Sequence, residues 1–312
     1  MAEIGIMVEG QEDMTWERFF RLAEAVEDLG FSHLFRSDHL TGIYGHPERA
    51  SLALWPSLTA LAMRTKRIRF GPMVCAVTFR HPVMVAKMAA SVDQLSGGRL
   101  DLGLGAGWND MEHKMFGVNY PRYGVRLEML DEAATVIKSI WSGEPVTFTG
   151  NYYQLEEAQS HPGPAQPNPT LIMGGKGEKT LKIVAKHATE WNFSYGGVDL
   201  FREKSRELDQ NCAAINRDPG DIRRSMMAPF VIGRDEAAAQ SRIDAHRRMF
   251  SSLPATLAEW NEAGFIGGSP SRVIDQMKAF TAAGIDRFML QHNDLDDIDS
   301  LTLLATEVLP HV

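Results

Sequence analysis

Strand-like and helix-like segments alternate along almost the whole chain, and this rhythm limits the possible folds more than any other feature. Glu3–Val8 is a short apolar run. Behind it, residues 15–29 place Trp16, Phe19, Phe20, Leu22, Ala23 and Val26 at helical spacing, and Gly30 follows as the stop. The pattern predicts further strands over residues 31–35, 68–74, 99–104, 170–173, 190–193, 226–232 and 287–291. It predicts intervening helices over 52–63, from Pro82, over 126–141, from about Lys179, over 200–215, from Asp235 and from Pro270, with one more at the C-terminus. Repeated βα units give parallel strands joined by right-handed crossovers. About eight units in a chain of this length fit a closed (β/α)8 TIM barrel with insertions better than an open sheet. A doubly wound two-domain sheet is the alternative, but no linker divides the 312 residues. The reading is therefore one domain over residues 1–312. It carries a hairpin and Pro-rich insertion at about 145–169, turning at Thr149-Gly150-Asn151, and an irregular insertion at about 248–268.

Barrel chemistry sits in the loops after the strands. After the second strand comes Arg36-Ser37-Asp38-His39, a carboxylate beside an imidazole that titrates near neutrality. Taken alone, the pair reads equally as a helix cap and a solvated histidine. After the third strand, Cys75 reads as a packed thiol, and Arg80 and His81 as surface charges. After the fourth, Gly103, Gly105 and Gly107 alternate, which lets a ligand or another backbone come close, and Trp108 and Asn109 follow. This is G-x-G-x-G, not the G-x-G-x-x-G dinucleotide fingerprint. After the fifth, Gly174-Gly175-Lys176-Gly177-Glu178-Lys179-Thr180 opens a helix with free backbone N–H groups and two lysines. That combination suits an anion, although it fails the Walker A spacing. Glu112, Glu128 and Asp131 read as isolated, solvated or capping carboxylates, and the sixteen methionines as core filler.

Composition removes several classes of function. Forty acidic residues against 32 basic ones give a net charge of −8, so nucleic acid is not an expected partner, while a local basic pocket for a phosphorylated cofactor remains open. The two cysteines, Cys75 and Cys212, show no disulfide framework, and the ten histidines show no metal-binding spacing; no metal is expected. The longest mostly apolar stretch, residues 52–63, is broken by Pro56, Ser57 and Thr59, so no membrane span is expected. The acidic N-terminus does not read as a signal peptide, and a cytoplasmic, reduced protein is the expectation.

Taken together, the loops carry a resemblance. The run RHPVMVAKMAASVDQLSGGRLDLGLGAGWND, followed by FGVNYP and RLEMLDEA, resembles the bacterial luciferase-like family of flavin and deazaflavin enzymes. So do AEAVEDLGFSHLFRSDH near the start and GSPSRVIDQMKAFTAAGIDRFML near the end. The match runs in order over nearly the entire chain and is weakest over 234–266. IMGGKGEKTLKIVAKHATEWNF is similar to the branch that uses coenzyme F420, an 8-hydroxy-5-deazaflavin.

The resemblance implies a TIM-type barrel with the deazaflavin in its mouth and a non-prolyl cis peptide at Met73-Val74 behind the ring. It places Asp38 and His39 beside the ring, with His39 as proton donor or acceptor. Gly107, Trp108 and Asn109 would line the ring or the side chain, and Trp108 joins Asp38 and His39 as a catalytic candidate. Gly174, Gly175, Gly177, Glu178, Lys179 and Thr180 would hold the cofactor phosphate. Family members acting on sugar phosphates carry a glutamate after the glycine strand, where this chain has Trp108 and Asn109; that points away from such a substrate. The implied reaction is hydride transfer between deazaflavin C5 and a small organic molecule, across an activated C=C, a C=N or an alcohol/carbonyl pair. The rival is an FMN-dependent monooxygenase fed reduced flavin by a reductase. A non-catalytic flavin binder fits less well, because Asp38, His39 and the glycine loops are all kept. The resemblance also implies a homodimer formed through barrel helices.

Overall fold

A computed structural model describes residues 2–312. In chain order its elements begin with β1 (Glu3–Val8), α1 (Trp16–Asp28), β2 (His33–Arg36), α2 (Leu54–Arg64), β3 (Arg69–Pro72), β4 (Cys75–Ala76), α3 (Pro82–Ser96) and β5 (Leu102–Gly105). Next come α4 (Asp110–Met115), α5 (Tyr123–Trp141), β6 (Val146–Thr149), β7 (Gln154–Ala158), β8 (Leu171–Gly174), α6 (Glu178–His187), β9 (Glu190–Ser194) and α7 (Val198–Ala213). The chain ends with β10 (Arg223–Ile232), α8 (Glu236–Met249), α9 (Leu257–Glu262), β11 (Ile266–Gly268), α10 (Pro270–Ala283), β12 (Arg287–Gln291) and α11 (Ile298–Glu307).

The strands follow the order β3-β2-β1-β12-β10-β9-β8-β5-β4, with parallel pairing throughout. A parallel bridge from Phe70 of β3 to Leu100, just ahead of β5, closes the TIM barrel. One wall of the barrel is split. The apolar run at 68–74 reads as one strand, but it stops at Pro72 and resumes at Cys75, with a cis peptide at Met73-Val74 as the family resemblance implies. Three glycines make room for this detour. A Cβ on Gly71 would collide with the carbonyl of Asp101, one on Gly103 with the carbonyl of Pro72, and one on Gly105 with the Val74 side chain. Of the two uses read from the sequence, Gly103 serves the close approach of backbone, while Gly105 makes room for Val74 and also lines the cavity described below.

Alternation along each strand sorts the side chains. Ile4, Ile6 and Val8 of β1, Leu102 and Leu104 of β5, and Trp191 and Phe193 of β9 join the outer core under the helices. Met7, Phe35, Met73, Ile172 and Met289 fill the lumen. Below them lies a charged layer. Arg287 lies 2.9 Å from Glu3, 3.0 Å from Asp101 and 3.1 Å from Glu190, while Arg69 also pairs with Asp101.

The predicted hairpin is present as the antiparallel β6–β7 pair. The irregular stretch at 248–268 contains α9, started by a Thr256–Glu259 capping box, and β11, which pairs with β10. Among the described residues no helix is long and apolar enough to cross a membrane.

Candidate active site

The loops after β2, β3–β4, β5, β8 and β9 surround a cavity of about 410 Å³ at the C-terminal mouth. At one end the loop after β2 turns His39 toward α4. Its Nδ1 bonds Oε1 of Glu112 at 2.7 Å, and Oε2 of the same carboxylate accepts the Leu40 amide at 2.9 Å. Glu112 is 1% exposed, so this is a buried carboxylate and not the solvated one read from the sequence. Its position follows from a local cap, because the Asn109 side chain accepts from the Glu112 amide and starts α4. Among the described residues no protein group bonds Nε2 of His39, which leaves that nitrogen to the cavity. Burial disfavours the charged imidazole, but the bond to Glu112 and the charges of Glu9, Glu112 and Asp38 outweigh it and raise the His39 pKa. The Trp108 ring stands edge-on to His39, with centroids 5.6 Å apart, and is 63% exposed at the rim.

Asp38 is buried and receives both terminal nitrogens of Arg80, at 2.5 and 3.1 Å. Arg80 is thus the partner of a site carboxylate and not the surface charge the sequence suggested. Cys75, as expected, is packed: it is fully buried, and burial pushes its thiol well up from the ordinary value. Met73, Val74, Ala76 and Ala106 line the cavity, as do Phe79 and His113, which stack at 4.7 Å.

The far end is the loop between β8 and α6. Gly175 has φ of +123°, and a Cβ there would fall 2.8 Å from Thr180 Cγ2, so this turn requires glycine. Trp191 Nε1 donates to the Gly175 carbonyl at 2.9 Å and fixes the turn from below. Helix α6 starts at Gly177 with no side-chain cap, leaving its first N–H groups open to an anion. Thr180 lies 3.2 Å from the Tyr123 hydroxyl, and Lys176 reaches across the rings of Phe193 and Tyr195 to the Tyr195 carbonyl at 2.9 Å.

Of the residues singled out from the sequence, the cavity collects Asp38, His39, Met73, Val74, Gly107, Trp108, Gly174, Gly175 and Thr180. It does not collect the other four. Asn109 is buried as the α4 cap, Gly177 is the α6 cap, Glu178 pairs outward with Lys182 at 2.7 Å, and Lys179 is exposed. Sequence reasoning missed Glu112, His113, Tyr123, Asn192 and Ser194 as lining residues, and it met Lys176 only as one of the two lysines of the anion loop. The N-x-x-E cap at 109–112 was the available signal for the first of these.

The luciferase-like monooxygenase family model matches residues 1–292. The chain belongs to this family. Among its relatives is the F420-dependent hydroxymycolic acid dehydrogenase of Mycobacterium tuberculosis, 26% identical over 99% of this chain and 88% of the relative. An F420-dependent glucose-6-phosphate dehydrogenase of Nakamurella multipartita is 34% identical over 93% of this chain and 91% of the relative. In structure, an F420-dependent secondary alcohol dehydrogenase with an F420-acetone adduct superposes with a TM-score of 0.86 at 22% identity, covering 100% of this chain and 99% of that one.

Proposed function

We propose that this luciferase-like chain is an F420-dependent oxidoreductase that moves a hydride between deazaflavin C5 and a small organic substrate. The observation that carries the reading is a cavity with two unlike ends. One is a histidine held by a buried carboxylate, and the other is an uncapped helix start with a lysine above it. The residues present fit such a cofactor. The volume suits a fused ring system, the floor is apolar, and the open N–H groups of α6 suit a phosphate. Met73 and Val74 would back the ring, while Gly174, Gly175, Lys176 and Thr180 would hold the phosphate end. The relatives named for F420 and for oxidation of alcohol carbons support the alcohol/carbonyl pair among the possible substrates.

When bound, the deazaflavin supplies a carbon hydride acceptor or donor with little oxygen reactivity. The chain supplies the rest. Glu112 accepts a hydrogen bond from Nδ1–H and orients the ring, so His39 Nε2 accepts the hydroxyl proton during oxidation and returns it during reduction. Arg80 holds Asp38 in place as an anchor beside the ring. Val74, Ala76 and Phe79 exclude water from the reacting face. We further read the protein as a homodimer acting in the cytoplasm, without nucleic acid or membrane partners.

The experiment is a parallel fluorescence titration of the apoprotein with F420 and FMN. Tight binding of F420 alone is expected. Preference for FMN, with oxygen consumption when reduced flavin is supplied, would replace the reading with a flavin monooxygenase.

A further inference from the structure

Beyond the cavity, the mouth has a charge pattern of its own. Two carboxylates, Asp38 and Glu112, line the His39 end, and two more, Glu9 and Glu12, are buried in the loop after β1, all less than a tenth exposed. Two are answered by arginines, Asp38 by Arg80 and Glu12 by Arg49, each at 2.5 Å. Glu112 is answered by His39 and a backbone amide. Glu9 has only neutral donors, the side-chain amides of Gln11 at 2.8 Å and of Gln291. The nearby buried Arg36 spends its guanidinium on Ser57 and on the carbonyls of Ser37 and Leu52. The remaining cation of the cavity, Lys176, lies at the opposite end.

A collar of aromatic rings stands along the rim, Trp108 and Tyr44 toward these acids and Tyr195 beside Lys176. Trp108 projects over His39, Tyr44 packs edge-on against Phe250 at 5.0 Å, and Tyr195 does the same against Phe265 at 5.0 Å. Trp108, Tyr44 and Tyr195 are exposed at the rim. Burial, and after it the charges of Glu9 and Glu12, push the Tyr44 phenol up from its ordinary value.

Building on the hydride-transfer reading, we propose that the mouth selects an uncharged substrate with a bulky apolar group that packs on Trp108 and the collar, and that it rejects anionic substrates, sugar phosphates among them. An anion entering to reach His39 would meet a lining that holds Asp38 and Glu112 and no lysine or arginine at that end, in a site where burial strengthens every charge. An apolar group would instead cover Trp108 and gain from leaving water.

The test uses one framework with three charges. 1-Cyclohexylethanol is compared with its ring-carboxylate and ring-trimethylammonium analogues, and glucose 6-phosphate is added as a fourth probe. Binding is read by quenching of tryptophan fluorescence in the F420-loaded protein and in the apoprotein, and turnover by loss of oxidised-deazaflavin absorbance. The neutral alcohol is expected to bind and react about 100-fold better than the carboxylate or the sugar phosphate. Trp108→Leu should remove most of the quenching and weaken the neutral ligand, and Glu9→Gln should narrow the gap to the carboxylate. Equal or tighter binding of either anion, or a preference for the trimethylammonium probe, overturns the proposal. The binding arm scores the charge order even without turnover, so a protein that binds the neutral alcohol but ignores F420 would sink the cofactor reading and leave this one standing.

Discussion

Oε1 of Glu112 in helix α4 accepts the Nδ1 proton of His39, 2.7 Å away in the loop after β2, and so sets which face of the imidazole meets the cavity. The two residues are 73 positions apart in the chain. If the arrangement acts as described, the proton-handling nitrogen is Nε2, and Glu112 works through it. Replacing His39 with Ala should lower turnover by about 100- to 10,000-fold while the F420 dissociation constant changes by less than about tenfold. Equal losses in both would make His39 a binding residue only.

Glu112 offers a sharper test through acidity. Its hydrogen bond and charge raise the His39 pKa against the pull of burial. Glu112→Gln removes the charge and keeps an oxygen for the Nδ1 proton, so the apparent pKa of the kcat/KM profile should move to lower pH. A Glu112→Gln profile that overlays the parent would mean that this carboxylate does not tune the reacting group.

At the other end of the cavity, Lys176 should matter for binding and not for chemistry. Lys176→Ala is expected to weaken F420 by about tenfold, leaving kcat at saturating cofactor nearly unchanged. Lys179→Ala, an exposed side chain outside the cavity, should have little effect on either quantity. Titrations of both variants against the parent distinguish the two lysines.

Acid stability should report on His292. Burial first, and then the neighbouring His246 and Arg242, lower its pKa from 6.5 to about 4 against the opposing pull of Asp294 and Asp297, and its Nε2 has no partner. The unfolded chain therefore binds this proton first. Stability from His292 is complete above about pH 6.5 and is lost progressively as the pH falls to about 4, by on the order of 3 kcal/mol. His33, lowered by burial and by Arg287, acts in the same sense, whereas the raised His39 contributes below the unfolded imidazole value and loses that contribution as pH rises. Urea midpoints measured from pH 7 to pH 4.5 should fall, and His292→Gln should flatten that slope.

Glycine tolerance should divide by what a methyl group would meet. Gly103→Ala drives Cβ into the Pro72 carbonyl, with Val74 Cγ1 at 3.1 Å, and is expected to cost about 3 kcal/mol or more. Gly124→Ala, in helix α5 with open space around it, should be neutral or raise stability by about 0.5–1 kcal/mol. Urea unfolding of the two variants compares them directly.

Particular residues show how far the sequence could be read. The barrel followed from period alone, because each strand buries an outer row under the helices and an inner row in the lumen. Period alone could not show the break between β3 and β4, since Met73 and Val74 are as apolar as the strand residues around them. The six-residue α4 is too short to show a helical period, so its Glu112 looked solvated. Arg80 looked solvated for a related reason: its partner Asp38 lies 42 residues back and is brought near only when the barrel closes. Lys176 and Lys179 read together as one anion loop, but the start of α6 leaves Lys179 exposed and Lys176 at the cavity.

The charged layer at the closed end of the barrel has a consequence for how this molecule can change. Arg287, Glu3, Asp101, Glu190 and Arg69 tie together β1, β3, β9, β12 and the approach to β5, at the end of the strands opposite the cavity. Removing a buried member such as Asp101 or Arg287 costs roughly 3–5 kcal/mol, so the integrity of the cylinder is anchored there. The rim loops are correspondingly free of that duty. Rim residues such as Tyr44 and Trp108 can be exchanged piece by piece, and new substrates taken up, with the foundation untouched.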